Sequence, residues 1–294
     1  MNIMKLRVLW YAISGALVIG SIVAIGMFGL RQGIDFTGGS LMALRFEERP
    51  SSLDVGNVLS EMSLGAVVGQ PVGEQDMNLR MKTLTEEEHT AVLDRLSTAF
   101  GTVQELRYDA IGPSIGAELR AKSWKALLVV FVGILAYVAY MFRKVSAPIA
   151  SWKYGIITIG TALHDVIIPL GLFAILGHFG QVEIGTPFIA AILTIMGYSI
   201  NDTIIVFDRV RENLQRMGGS FDEIVHTSLK QTYARSLYTS LTTLFTLVAI
   251  YLFGGDSIKE FALALIVGIL AGTYSSIFVA APMLVTWDRF RRRK

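Results

Sequence analysis

Six stretches of about twenty predominantly apolar residues recur along the chain, at 8–30, 122–142, 154–176, 186–207, 233–253 and 260–286. Each is long enough to cross the hydrocarbon core of a bilayer as a helix. Between the first and second the period changes. Ser40 to Phe46 alternates like a half-buried strand, and Leu53 to Met62 carries a helical pattern. Ala66–Gln70 and Met77–Lys82 read as strands joined by the turn Pro71-Val72-Gly73-Glu74. Glu86 to Phe100 is amphipathic, with Ala91, Leu93, Leu96, Ala99 and Phe100 on its apolar face and Thr85 placed to cap it. Thr102 to Ile111 closes as a strand, so residues 31–121 predict a βαββαβ, ferredoxin-like α+β domain. The expected architecture is an α-helical polytopic membrane protein: a first segment and span (1–30), the small α+β domain (31–121), and a five-span bundle with its tail (122–294).

Glycines mark both junctions. Gly33, Gly38 and Gly39 surround Asp35-Phe36-Thr37 after the first span, and Gly112-Pro113-Ser114-Ile115-Gly116 precedes the second. Such positions can act as hinges between domain and membrane, or simply be linkers. Gly112 to Gly116 also spells G-x-S-x-G, but a nucleophile elbow needs a strand–turn–helix in a hydrolase core rather than a membrane entry. In the sixth span Ala264, Gly268, Gly272, Ser276 and Ala280 form a ridge of small residues that lets another helix approach. Pro169 predicts a kink or packing irregularity in the third span.

Composition supports this reading, since 52% hydrophobic and 17% charged residues are too apolar for a soluble domain. The net charge of +2 leaves no nucleic-acid footprint, yet the distribution of charge is informative. Lys5 and Arg7 precede the first span, and Arg143, Lys144 and Lys153 lie between the second and third. Arg209, Arg211, Arg216 and Lys230 fall between the fourth and fifth, and Arg289 to Lys294 follow the sixth. The opposite short loops hold only Lys259. Positive residues collect on the cytoplasmic side, so both termini are expected inside and residues 31–121 outside. The first apolar run exceeds a signal-peptide core and lacks an A-x-A cleavage pattern, which predicts an uncleaved anchor. The absence of cysteine removes disulfides and thiolate chemistry.

The candidate chemistry lies in Gly197-Tyr198-Ser199-Ile200-Asn201-Asp202-Thr203, a polar knot inside the fourth span. A carboxylate at that depth costs about 2.5–3.5 kcal/mol on insertion scales, so pairing, water or a proton must offset it. Asp202 and Arg235 are expected at similar depth, near the cytoplasmic boundary, on antiparallel helices joined by a loop at 208–232. An ion pair that opens and closes there could switch Asp202 between ionised and protonated forms. His164-Asp165, deeper in the third span, is the weaker addition to a proton relay. Tyr198, Ser199, Asn201 and Thr239 are expected to supply polar support. The alternative is a fixed pair with the hydroxyls as interhelical glue. Gly180 to Thr186 has Walker-like glycine spacing but no phosphate-binding lysine, and the four histidines form no metal-ligand cluster. No cofactor, metal or ATP site is therefore expected, and an ion gradient is the remaining energy source.

Gly33 to Gly39, Gly197 to Thr203 with its continuation Val206-Phe207-Asp208-Arg209-Val210-Arg211-Glu212-Asn213, and Arg235-Ser236-Leu237-Tyr238-Thr239-Ser240 together closely resemble the SecD/SecF protein-export family of the resistance-nodulation-division superfamily. The resemblance covers essentially the whole chain. It implies a non-enzymatic translocation subunit of the bacterial inner membrane that uses the proton motive force, with sodium as the alternative ion. It implies SecD as obligate partner, since superfamily members pair two six-helix halves, and the small-residue ridge is expected to serve that pairing. It also implies work beside SecYEG on SecA-driven preproteins, with YajC and YidC as further associates. Asp202 and Arg235 match intramembrane family positions tied to proton transport. A scaffold holding SecD near the channel, and an exporter of lipid or small molecules, are the alternative readings.

Overall fold

A computed structural model describes residues 3–143, 150–180 and 182–292. Lys144, Arg293 and Lys294, counted above in the charge asymmetry, and Gln181 of the glycine-spaced loop lie outside the described residues. The chain divides into two compact units, Gln32–Lys125 and the remainder.

The smaller unit begins with a one-turn helix α2 (Ile34–Thr37), which follows helix α1 (Arg7–Phe28) in the chain. Strand β1 (Gly39–Phe46), helix α3 (Ser52–Leu59) with a 3₁₀ turn at Ser60–Met62, strands β2 (Val68–Val72) and β3 (Asp76–Met81), helix α4 (Glu86–Phe100) and strand β4 (Val103–Ile111) complete it. The strands lie in the order β2-β3-β1-β4, and all neighbours are antiparallel, the ferredoxin-like arrangement expected. Alternation explains the core: Met42, Leu44 and Phe46 of β1 and Met77, Leu79 and Met81 of β3 point to one face. There they meet Val55 and Leu59 of α3 and Val92 and Leu96 of α4. At the end of the central β1–β3 ladder Arg45 forks onto Asp76, its Nε and Nη2 donating at 2.7 and 2.8 Å. That hydrogen bonding holds the Asp76 carboxyl below its ordinary range.

Two local expectations change. The turn falls at 73–75, two residues late, because Pro71 continues β2, an edge strand in which its missing N–H costs no ladder bond. On α4 the buried stripe is Val92–Leu96 flanked by Leu93 and Phe100, while Ala91 and Ala99 are exposed. Thr85 caps α4 as expected, in a full capping box with Glu88.

The expected hinges form a packed clasp. Helix α5 (Pro113–Met141) starts nine residues before the apolar window, so Ser114 and Gly116 belong to a helix, not to a linker or an elbow. Gly38 and Gly39 adopt φ of +71° and +127°. A Cβ on Gly38 would lie 2.8 Å from Pro113 Cα, one on Gly39 2.7 Å from the Met81 carbonyl oxygen, and one on Gly116 2.9 Å from the Gly38 nitrogen. Backbone thus rests on backbone, which only glycine permits. Gly33 is extended and accepts from Phe36, Thr37 and the Thr37 hydroxyl through its carbonyl. Gly112 has open space around it and accepts the Gly116 N–H. Gly112 does not need to be glycine for room.

The larger unit holds α1, the membrane part of α5, then α6 (Ser151–Phe179), α7 (Thr186–Arg216), α8 (Phe221–Phe253) and α9 (Asp256–Ser275). A π-helical segment (Ser276–Ala280) joins α9 to α10 (Ala281–Arg292), and this continuous run forms the sixth span. All six helical runs are long and apolar enough to cross a membrane. Helices outlast the hydropathy windows because charge ends an apolar run without ending a helix. The loop expected at 208–232 shrinks to 217–220, with Ser220 and Glu223 forming the capping box of α8. The α6 helix runs unbroken through Pro169, whose missing N–H would have bonded the carbonyl of Asp165.

The small-residue ridge is consumed within the chain. A Cβ on Gly268 would collide with the Ile195 side chain, and one on Gly272 would stand 3.1 Å from Ser199 Cβ. Ala264, Gly268, Gly272, Ser276 and Ala280 are all buried. The ridge seats α9 on α7, so it is not free for a partner chain.

Candidate functional site

Three aspartates of the helical unit are buried among the described residues: Asp288, which faces Arg291 near the end of the last helix, and two at the centre of the bundle, Asp165 fully buried and Asp202 4% exposed. Asp165 is on α6. Its Oδ1 lies 2.7 Å from His164 Nδ1, and its Oδ2 accepts from Ser275 Oγ at 2.7 Å and from Ser199 Oγ. Gly272 keeps this place open, since a Cβ there would lie 3.5 Å from Asp165 Oδ2. With Asp165 ionised, His164 carries its proton on Nδ1. His164 Nε2 is buried with no hydrogen-bond partner, and the ring stacks near Tyr274 at 6.4 Å between centroids.

Asp202 is on α7, one turn beyond Ser199. Its Oδ1 accepts from Ser236 Oγ of α8 at 2.5 Å and its Oδ2 from Ser276 Oγ. Each carboxylate therefore receives two serine hydroxyls from helices other than its own, and Ser275 and Ser276 are consecutive. Beside them Tyr198 donates to Ser240, whose hydroxyl meets Thr273 Oγ1 at 2.6 Å. An ionised carboxylate accepting several hydroxyl donors is tolerable in low dielectric, and charge-assisted bonds of this kind are the strong ones.

The expected Asp202–Arg235 ion pair is absent among the described residues. Arg235 neighbours Ser236 in sequence, but about 100° of helical rotation separates them; Ser236 faces inward and Arg235 is exposed on the chain's surface. The face Arg235–Thr239–Thr242–Thr246 points outward and its threonines return their hydroxyls to carbonyls of α8 itself. Ser236–Ser240 is the inward face. Asn201 and Thr194 are likewise exposed, so of the expected support residues Ser199 and Tyr198 join the polar cluster while Asn201 and Thr239 do not. Asp202 lies about 21 Å from the end of α7 at Arg216 and meets Ser276, near the middle of the last helical run. Asp165, the weaker candidate by sequence, has the more complete set of donors. The carboxylate donors missed by sequence were Ser236, Ser275 and Ser276: Ser276 reads as a packing position of the small-residue ridge, and nothing in their spacing marks Ser236 or Ser275 as donors.

Comparison with known proteins fits this construction. The family described as protein export membrane protein SecD/SecF, C-terminal, matches residues 91–290, and the SecD/SecF GG motif matches residues 23–48. The chain is 42% identical to the protein translocase subunit SecF of Thermobaculum terrenum, over 98% of this chain and 94% of that protein. It is 36% identical to its counterpart in Sebaldella termitidis, over 99% and 93%. The fold is similar to the crystal structure of SecDF, a translocon-associated membrane protein, from Thermus thermophilus, with a TM-score of 0.85 and 34% identity. That alignment covers 98% of this chain and 39% of the longer SecDF chain.

Proposed function

Because the chain belongs to the SecD/SecF family of protein-export membrane proteins, on its SecF side, we propose that this multi-pass translocase subunit pairs with a SecD half and couples the proton gradient to late steps of preprotein export. The observation that carries this is the pair of buried carboxylates solvated by neutral hydroxyls. A carboxylate held by serines can be ionised or protonated, whereas a permanent arginine partner would hold it ionised.

In this reading the bundle lies in the bacterial inner membrane with both termini cytoplasmic and the α+β unit outside, an orientation that the distribution of basic residues supports. A proton from the outer side neutralises Asp202. The bonds from Ser236 of α8 and Ser276 of the sixth span then lose their charge assistance, and those helices repack against SecD. The α+β unit, joined to the bundle through Arg31 and α5, alternates between holding and releasing polypeptide that emerges from SecYEG after SecA has acted. YajC and YidC are the associates expected around that assembly. The reading needs no cofactor. Sodium is the competing ion, and a carboxylate among hydroxyl oxygens is also its kind of ligand.

The test is Asp202→Asn in cells that carry the matching SecD. Gradient-dependent export should be lost while the complex still assembles; unchanged export would overturn the reading. One observation favours a scaffold instead: every Asp202 and Asp165 oxygen already has a donor, as in a static tie between helices. A scaffold predicts that Asp202→Asn leaves export dependent on the gradient.

A further inference from the structure

Ser275 and Ser276 each have a choice of acceptor. Ser275 Oγ lies 2.7 Å from Asp165 Oδ2 and 3.2 Å from the Gly272 carbonyl oxygen. Ser276 Oγ reaches Asp202 Oδ2 and lies 3.1 Å from the Thr273 carbonyl oxygen. A hydroxyl has one proton, so it serves one acceptor well at a time. Both side chains are fully buried, and water cannot take up a lost bond.

We propose that Ser275 and Ser276 are hydroxyl rotors that let Asp165 and Asp202 change protonation state inside the bundle without stranding a buried polar group. This rests on the proton-coupled reading above. With the carboxylate ionised, the serine donates to it. When a proton arrives on the carboxylate, the new acid O–H donates to the serine oxygen. The serine proton then turns to the carbonyl of its own preceding turn, Gly272 for Ser275 and Thr273 for Ser276. No covalent bond other than the carboxyl O–H is made, and each oxygen keeps a partner in both states.

Their position supports the role. Ser276 opens the π-helical segment, and Ser275 closes the α-helix before it. Two consecutive serines thereby serve carboxylates on two different helices, Asp165 of α6 and Asp202 of α7. The other serines on these carboxylates, Ser199 and Ser236, have no second acceptor among the bonds described for them, so the rotor property belongs to the sixth span. Of the ionisable side chains on the packed helices, His164 of α6 bonds Asp165, Tyr198 of α7 bonds Ser240 and Tyr274 of α9 stacks near His164, while Arg235 of α8 points outward. From α1, Tyr11 bonds Thr286 of α10 instead.

The test is difference infrared spectroscopy on the purified complex with its SecD half, using carbon-13 aspartate and a pH titration. Bands lost in Asp165→Asn and Asp202→Asn assign the two acids. Ser275→Ala should move the Asp165 titration midpoint, and Ser276→Ala that of Asp202, each by about one pH unit, the size of one charge-assisted hydrogen bond. Ser276→Thr, which keeps the hydroxyl, should restore the wild-type midpoint. Wild-type midpoints in both alanine variants would overturn the rotors. The spectroscopic result stands apart from export: if Asp202→Asn exports normally, the coupling reading fails while the rotors are still read directly.

Discussion

A serine hydroxyl carries one proton and no charge, so it can solvate a carboxylate and, after rotation, accept from the corresponding acid. That property separates Asp165 and Asp202 from the surface carboxylates, such as Asp76 on its arginine fork. The same scale governs the glycine clasp. Gly38→Ala would force a Cβ to within 2.8 Å of Pro113 Cα at a φ of +71°. Strain of that kind costs about 1–3 kcal/mol. We expect Gly38→Ala to increase amide exchange along β1 and the start of α5 in the intact complex, and Gly112→Ala, with open space, to leave it unchanged. Equal exchange in both variants would contradict the clasp. From sequence the glycines were visible, but freedom and close approach leave the same trace in a single chain. The partner backbone, distant in sequence (Pro113 for Gly38, Met81 for Gly39), decides between them. Ser275 and Ser276 were hidden for the same reason: a hydroxyl's partner on another helix has no signature in its own spacing.

At the scale of the helix, α7 and α9 approach closely because Gly268 and Gly272 have no side chain where Ile195 and Ser199 sit. This contact sets the distance between Ser199 and Ser275, the two serines that donate to Asp165, so packing and polar geometry are linked. Gly268→Ala should destabilise the bundle by about 1–3 kcal/mol through overpacking. Ile195→Ala should cost about 2–5 kcal/mol alone by leaving a cavity. Combined, the new methyl occupies part of that cavity, so the double variant should be less harmful than the sum of the two. Thermal melting of the purified complex measures this, and strict additivity would show that the two residues do not meet. The ridge itself was legible, because four-residue spacing of small side chains has one physical use. Its target was not, and it proves to be α7 of the same chain. The six spans were legible too, yet each helix continues past its apolar window. In α7 that continuation carries Asp208, Arg209, Arg211 and Arg216 on helix where a loop was expected.

For the whole molecule, the outer surface of the bundle is of two kinds. On α5, Leu128, Val129, Val132 and Leu135 are exposed and apolar, a surface suited to lipid. On α8 the exposed face carries Arg235, Thr239, Thr242 and Thr246 at the level of the buried carboxylates. An arginine facing hydrocarbon at that depth costs about 2.5–3.5 kcal/mol even on insertion scales. The threonines bond their own helix and offer Arg235 nothing. This face therefore needs protein or trapped water against it, and in the function proposed above the SecD half is the cover. The prediction is directional. In the membrane complex, cysteines replacing Thr239, Thr242 or Thr246 should cross-link to SecD, while cysteines replacing Leu128 or Val129 should not. In the function proposed above, Arg235→Leu should abolish gradient-dependent export with the cross-links retained. Cross-links from α5 and none from α8 would place SecD on the opposite side and leave Arg235 without a function that the structure explains.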